Sequence, residues 1–143
     1  MAQIGEILDA KGRDVIGIAS DATVFDAVKL MVERNVGALL VTDGDEITGI
    51  FTERDYLRRI AVEGRRSRDT LVRDVMSAPV IVIPADASVE EGMAMMSERR
   101  IRHLPVVDAG AVAGMISIGD LVRQQSRLQT FQIQYLTDYI SGR

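Results

Sequence analysis

Residues 15–58 read VIGIASDATVFDAVKLMVERNVGALLVTDGDEITGIFTERDYLR, and residues 80–123 read VIVIPADASVEEGMAMMSERRIRHLPVVDAGAVAGMISIGDLVR. Set against each other at a shift of 65, the two stretches align without a gap and are identical at 15 of 44 positions. Average residue usage would give roughly 3 by chance. The chain is therefore an internal duplication, and one copy is the unit to interpret.

Each copy carries the same succession of local signals. A β-branched run opens it, Val15 to Ile18 and Val80 to Ile83, as expected of a short strand. Asp21-Ala22-Thr23 and Asp86-Ala87-Ser88 follow, residue types that start helices by accepting from unpaired backbone N–H groups. Apolar residues then recur at helical spacing: Val24, Ala27, Val28, Met31 in one copy, and Val89, Gly92, Met93, Met96 in the other. Second strands are predicted over Ala38 to Val41 and His103 to Val107, and third strands over Ile47 to Phe51 and Val112 to Ile116. The turns Asp43-Gly44-Asp45 and Asp108-Ala109-Gly110 join them as hairpins. A helix closes each unit after Thr52 and after Ser117. The fold class is α/β (α+β): two tandem β-α-β-β-α repeats. One such unit has a one-sided sheet and cannot bury its apolar face alone, whereas two packed sheet to sheet can. The expected division is 1–64 for the first repeat, 65–125 for the second and 126–143 for a C-terminal helical extension.

Between the repeats, about residues 64–70 form a Gly- and Arg-rich linker. Pro79 and Pro84 bracket the strand that opens the second copy, positions suited to a strand edge. The basic run Arg65-Arg66-Ser67-Arg68 reads as a solvated loop. Met93, Met95 and Met96 read as core filler rather than a binding surface.

Composition narrows the chemistry. The 143 residues are 47% hydrophobic and 27% charged, with only 4% aromatic, so a core must be built from aliphatic residues and seven Met. The net charge of −4 disfavours nucleic-acid binding. Absence of Cys removes disulfides, thiolate nucleophiles and cysteine-held metals. One His, His103, cannot make a multi-histidine metal site. The start, MAQIGEILDAKGRD, is interrupted by acidic residues and does not read as a signal peptide. Apolar runs fall far short of the ~20 residues that span a membrane. A cytoplasmic location is expected, with neither membrane nor nucleic-acid partner.

The strings that carry chemistry are Gly49-Ile50-Phe51-Thr52-Glu53-Arg54-Asp55 and Gly114-Met115-Ile116-Ser117-Ile118-Gly119-Asp120. Both fit G-h-h-[ST]-x-x-D, where h is apolar. A helix N-terminus offers unpaired N–H groups and partial positive charge, which attract phosphate. The Thr or Ser hydroxyl adds a hydrogen bond, and a carboxylate one turn in can accept from two vicinal hydroxyls. The glycine permits close approach. The same string is also a capping box that merely closes the helix end. On the residues alone both readings stand.

GIFTERD and GMISIGD, together with RIRHLPVVD (residues 100–108), resemble the CBS domain family, over residues 3–125. The resemblance implies a stand-alone tandem pair (a Bateman module) whose repeats pack through their sheets about a pseudo-twofold axis. It implies adenosine ligands (AMP, ADP, ATP, S-adenosylmethionine or NAD) in two clefts, each cleft borrowing strands from the opposite repeat. Asp55 and Asp120 would hold ribose hydroxyls, with Thr52 and Ser117 on the phosphate side. The first cleft would comprise Thr52, Arg54 and Asp55, with Ile81 and Ile83 as an adenine wall and Arg102 and His103 toward phosphates. The second would comprise Ser117 and Asp120 with Ile16, Ile18, Gly37 and Ala38. On this assignment the first cleft is phosphate-rich and the second, with Gly119, is roomier and carries little charge. His103 reads equally as a partly buried residue bonded to backbone, and Arg54 and Arg102 as surface charges.

Beyond Arg123 a helical stripe continues with Phe131, Tyr135 and Tyr139 at i, i+4 and i+8. It reads either as a helix docking on its own domain or as part of a dimer interface. The resemblance favours a homodimer. The functional expectation is a ligand sensor that signals to a separate effector protein, with no catalytic cofactor. An enzyme acting on nucleotides would need a nucleophile and base, or a phosphate-binding motif such as G-x-x-x-x-G-K-[ST] or G-x-G-x-x-G, that the chain lacks. A scaffold that forms oligomers without binding any ligand is the third reading.

Overall fold

The computed structural model describes residues 2–127. Two three-stranded sheets organise the described residues. The first contains β1 (Gly17–Ala19), β2 (Ala38–Asp43) and β3 (Glu46–Thr52), with α2 (Val24–Arg34) crossing between β1 and β2. The second contains β4 (Ile83–Pro84), β5 (His103–Asp108) and β6 (Ala111–Ser117), with α4 (Val89–Arg99) in the equivalent place. In both sheets the first pair is parallel and the second antiparallel. This is the β-α-β-β-α order expected of each copy. Before β1 lies α1 (Ile4–Lys11); after β3 comes α3 (Glu53–Tyr56), and after β6 comes α5 (118–127). The C-terminal helix expected over 126–143, with its aromatic stripe, lies almost wholly outside the described residues.

The helix signals work as the sequence proposes. Thr23 Oγ1 accepts from Asp26 N at 3.1 Å and Ser88 Oγ from Glu91 N at 3.1 Å, capping α2 and α4. The two helices end in left-handed residues, Asn35 (φ 54°) and Arg100 (φ 55°). In the second hairpin Ala109 and Gly110 both take positive φ, as a two-residue turn matched to strand twist requires.

The opening strands are shorter than predicted. β1 covers Gly17–Ala19 rather than 15–18, and β4 only Ile83–Pro84 rather than 80–83. The cause at β4 is chemical. In the first sheet Leu40 N donates to Ile16 O at 3.0 Å, extending the ladder backwards. The residue equivalent to Leu40 is Pro105, which has no N–H to give, so residues 80–82 stay outside the sheet.

Compact units are cut differently from the 1–64 and 65–125 division of the sequence. One comprises residues 15–81; the other, among the described residues, comprises 2–14 with 82–127. In the 15–81 unit, the segment after the linker returns to its own sheet. Val24 N donates to Thr70 O at 2.8 Å and Val72 N to Ala22 O at 2.9 Å, while Val72 and Val75 are fully buried among Val24, Ala27, Leu39, Val41 and Phe51. In the other unit, α1 does the same work. Ile4 N donates to Ala87 O at 2.9 Å, Val89 N donates to Ala2 O at 3.1 Å, and Ile4 and Leu8 are fully buried.

The repeated glycines explain why these segments are required. A Cβ on Gly49 would lie 2.5 Å from Met76 Sδ and 2.9 Å from Ser77 O; one on Gly114 would lie 2.7 Å from Leu8 Cδ2. Each glycine sits on an outer strand and lets a leader segment lie flat on it. The linker between the repeats, which lies within the 15–81 unit, is mostly exposed, as read from sequence, but Ser67–Asp69 form a 3-10 turn and Arg68 stacks on Phe25 at 3.8 Å. Met96 is buried, with Met93 and Met95 half-buried.

Candidate ligand-binding sites

Both G-h-h-[ST]-x-x-D strings fold into the same device at the junction of an outer strand and a helix. In the 15–81 unit, Thr52 ends β3 and caps α3. Asp55 N donates to Thr52 Oγ1 at 3.2 Å, and Thr52 N donates to Asp55 Oδ2 at 3.0 Å. In the other unit, Asp120 N donates to Ser117 Oγ at 3.2 Å, and Ser117 N to Asp120 Oδ2 at 2.8 Å. The capping-box reading is thus realised in both copies. It does not exhaust the carboxylates. Each is 7% exposed, and each has a second oxygen outside the box. Burial of a carboxylate requires that such an oxygen be satisfied.

The two copies satisfy it differently. Asp55 Oδ1 accepts from the Ser77 hydroxyl at 2.8 Å, and Thr52 Oγ1 also lies 3.1 Å from Oδ2. Asp120 Oδ1 accepts from Arg123, and Oδ2 accepts from Lys11 Nζ at 2.7 Å. Lys11 Nζ also donates to Met115 O at 2.8 Å. Burial pushes the Asp120 carboxyl up, but the hydrogen bond and charge of Lys11, with the backbone and hydroxyl of Ser117, bring it below the ordinary value of 3.8.

This corrects the expected charge contrast. The expectation of little charge rests on Gly119 of the same repeat and on the borrowed Gly37 and Ala38, and leaves out Lys11 and Arg123. Lys11 reaches it because residues 1–14 fold with the second sheet. Arg123 reaches it because it lies one turn along α5, and Gly119 leaves room: a Cβ there would be 3.3 Å from an Arg123 guanidinium nitrogen.

The remaining expected residues group by unit as follows. Gly37 O accepts from Glu53 N at 3.1 Å, and Ala38 pairs with Thr52, so both belong at the start of α3. Arg102 O accepts from Ile118 N at 2.8 Å, and His103 pairs with Ser117, so both belong at the start of α5. Within each unit, therefore, Gly37 and Ala38 stand beside the Asp55 motif, and Arg102 and His103 beside the Asp120 motif. Ile16 and Ile18 are half-buried at β1, Ile81 is half-buried, Ile83 is buried on β4, and Arg54 and Arg102 are exposed. The residues that sequence reasoning missed are Ser77, Lys11 and Arg123. Of these, Arg123 was within reach, since it stands three residues after Asp120 on a predicted helix.

A hollow of about 490 Å³ in the 15–81 unit lies between α2 and α3 and is lined by Val28, Met31, Val32, Val36, Tyr56 and Leu57 among others. Neither Thr52 nor Asp55 lines it. Among the described residues, no group of three His, Cys, Asp or Glu is placed to hold a metal, and no helix is long and apolar enough to cross a membrane.

Two repeats of one fold, each presenting a capped helix start with a buried carboxylate, define a tandem α/β repeat protein. Comparison with known proteins identifies it. The family model of the CBS domain matches residues 4–62 and 72–127. CBS domain-containing protein CBSX3, mitochondrial, of Arabidopsis thaliana is 40% identical over 148 residues, covering 97% of this chain and 72% of that protein. Among solved structures, a putative signal-transduction protein with CBS domains from Burkholderia ambifaria superposes with a TM-score of 0.83 at 46% identity, covering 86% of this chain and 93% of the other. The hexameric CBS-CP12 protein of bloom-forming cyanobacteria superposes with a TM-score of 0.77 at 32% identity, covering 85% and 70%. The chain belongs to the CBS domain family. CBS domains are regulatory modules, generally nucleotide-sensing.

Proposed function

We propose that this chain is a non-catalytic cytoplasmic sensor that binds an adenosine-type ligand (AMP, ATP or NAD), acts as a homodimer, and passes its ligand state to a separate effector protein. The observation that carries this reading is the Asp55 carboxylate. It is buried, it is fixed by the cap through Oδ2, and its Oδ1 is held by a neutral hydroxyl, that of Ser77. A ribose hydroxyl is the same donor type as Ser77 Oγ, so exchange at Oδ1 costs no unpaired charge. Thr52, the cap residue of α3, then lies on the phosphate side.

Ser117 and Asp120 form the second, weaker site. There a ribose must displace Lys11 or Arg123, charge-assisted donors that bind a carboxylate about twice as strongly as neutral ones do. Arg102 and His103, grouped with this motif, supply further basic character. Ligand binding can bias the protein only through unequal affinity for two of its states. The test is a calorimetric titration of the whole chain with AMP, ATP, NAD and S-adenosylmethionine, with hydrogen exchange measured on the free and saturated protein. Saturable binding with changed exchange supports the sensor. Absence of binding by all four establishes the scaffold reading instead, and turnover of bound ATP or NAD above a buffer blank establishes an enzyme.

A further inference from the structure

A second, smaller pocket lies in the unit of residues 1–14 and 82 onward, between α1 and α5. It measures about 220 Å³ and is lined by Ile7, Ala10, Lys11, Asp120, Arg123, Gln124 and Arg127. Three cations face one carboxylate, in a chain whose net charge is −4. Asp120 holds two of the cationic heads in place, Lys11 and Arg123. Arg127, one turn further along α5, lines the same pocket without an ion-pair partner among the described residues. Most of the donors remain available. Lys11 Nζ has three N–H groups, of which Asp120 and Met115 O take two, and each guanidinium has five.

The size of the pocket selects the ligand. Sites for whole nucleotides and drug-sized molecules run to roughly 300–1,000 Å³, so this one fits a small anion or one anionic group of a larger molecule. Two positive charges in excess call for a dianion, and planar guanidinium forks suit tetrahedral phosphate oxygens. We propose that the α1–α5 pocket is a binding site for a phosphate dianion, held by Lys11, Arg123 and Arg127. The dianion is either inorganic phosphate or the terminal phosphate of an organic ester. The site stands whether or not Asp55 binds a ribose.

The test is an amide-resolved NMR titration of the full chain with inorganic phosphate, adenosine and AMP in separate arms, against potassium chloride at matched ionic strength. Saturable phosphate shifts confined to residues around Lys11 and Gln124 are expected. Arg127→Gln and Lys11→Gln should each weaken phosphate binding at least tenfold. Arg66→Gln, an exposed arginine paired with Asp69 far along the chain, should change it less than twofold. Arg127 is exposed, so its substitution leaves folding intact. Tighter binding of AMP than of phosphate, lost in the same variants, assigns the pocket to an ester; equal binding assigns it to free phosphate. Linear shifts, shifts reproduced by chloride, or indifference to both substitutions overturn the proposal. The nucleotide reading fails separately, when adenosine gives no shifts near Asp55.

Discussion

The Asp55 and Asp120 motifs share a sequence pattern, a capping box and a burial level, yet they differ in the donors that complete the carboxylate. At Asp55 the outer oxygen, Oδ1, takes the Ser77 hydroxyl and the box oxygen, Oδ2, lies beside the Thr52 hydroxyl; at Asp120 the outer oxygen takes Arg123 and the box oxygen takes Lys11. The difference arises outside the motif. Each repeat is completed by a leader segment, and the two leaders diverge where the repeats do not: one places Ser77 beside its carboxylate, the other Lys11. A duplicated site can therefore acquire two chemistries without any change to the signature that defines it.

The leaders also make the two units unequal in packing, and this gives the largest expected effect. In Gly49→Ala the new methyl meets the Ser77 backbone carbonyl as well as Met76 Sδ, and Ser77 is bridged to Ile50 by hydrogen bonds of 2.9 and 3.0 Å. In Gly114→Ala it meets only the Leu8 side chain, which is buried but, unlike the Ser77 carbonyl, is not fixed by backbone hydrogen bonds. Overpacking costs typically ~1–3 kcal/mol. Urea unfolding should place Gly49→Ala near the upper end and Gly114→Ala near the lower. A larger loss at Gly114 would mean that the α1 contact is the more rigid of the two.

Asp120→Asn sharpens the electrostatic side of the comparison. At neutral pH it should cost about 1–2 kcal/mol, the worth of a cap and a partly exposed ion pair. Because the folded carboxyl lies below 3.8, its stabilising contribution is complete above that value and is lost as pH falls through the lowered folded value. The gap between wild type and Asp120→Asn in urea midpoints should therefore close on acidification from pH 7 towards about pH 2. A gap that persists unchanged would show that the Lys11 pair contributes nothing.

A smaller effect than that of Gly49→Ala is expected of Ser77→Ala. It removes one hydrogen bond from a neutral hydroxyl to the Asp55 carboxylate, worth about 1.5 kcal/mol, the lower end for a charged acceptor. If Ser77 only holds the place of a ribose hydroxyl, the variant should lose stability while nucleotide affinity stays level or improves. A loss of affinity in calorimetry would make Ser77 a ligand contact instead.

Much of this was legible in the chain. Thr23 and Ser88, the two hairpin turns and the 65-residue register gave the element order because each rests on interactions between near neighbours in sequence. The capping role of Thr52 and Ser117 was equally readable for that reason. What escaped was everything that depends on the leaders. Residues 4–11 and 70–77 do not align at a shift of 65, so the partners of Gly49 and Gly114 were invisible even though the glycines stood out. Lys11 lies 109 residues from Asp120, and no spacing rule connects them. The shortened β4 was readable in principle from Pro105, whose missing N–H removes a ladder donor.

On the proposed function Asp55, closed by hydroxyl donors, is the ribose carboxylate, and Asp120 is held back by its cations. Calorimetric titration of AMP into wild type, Asp55→Asn and Asp120→Asn tests it most directly. Hydrogen bonds to a charged acceptor are worth about 1.5–3 kcal/mol each, so losing two at Asp55 should weaken AMP binding on the order of 100-fold or more, while Asp120→Asn should weaken it less than tenfold. Equal losses in the two variants, or a greater loss for Asp120→Asn, would contradict the account.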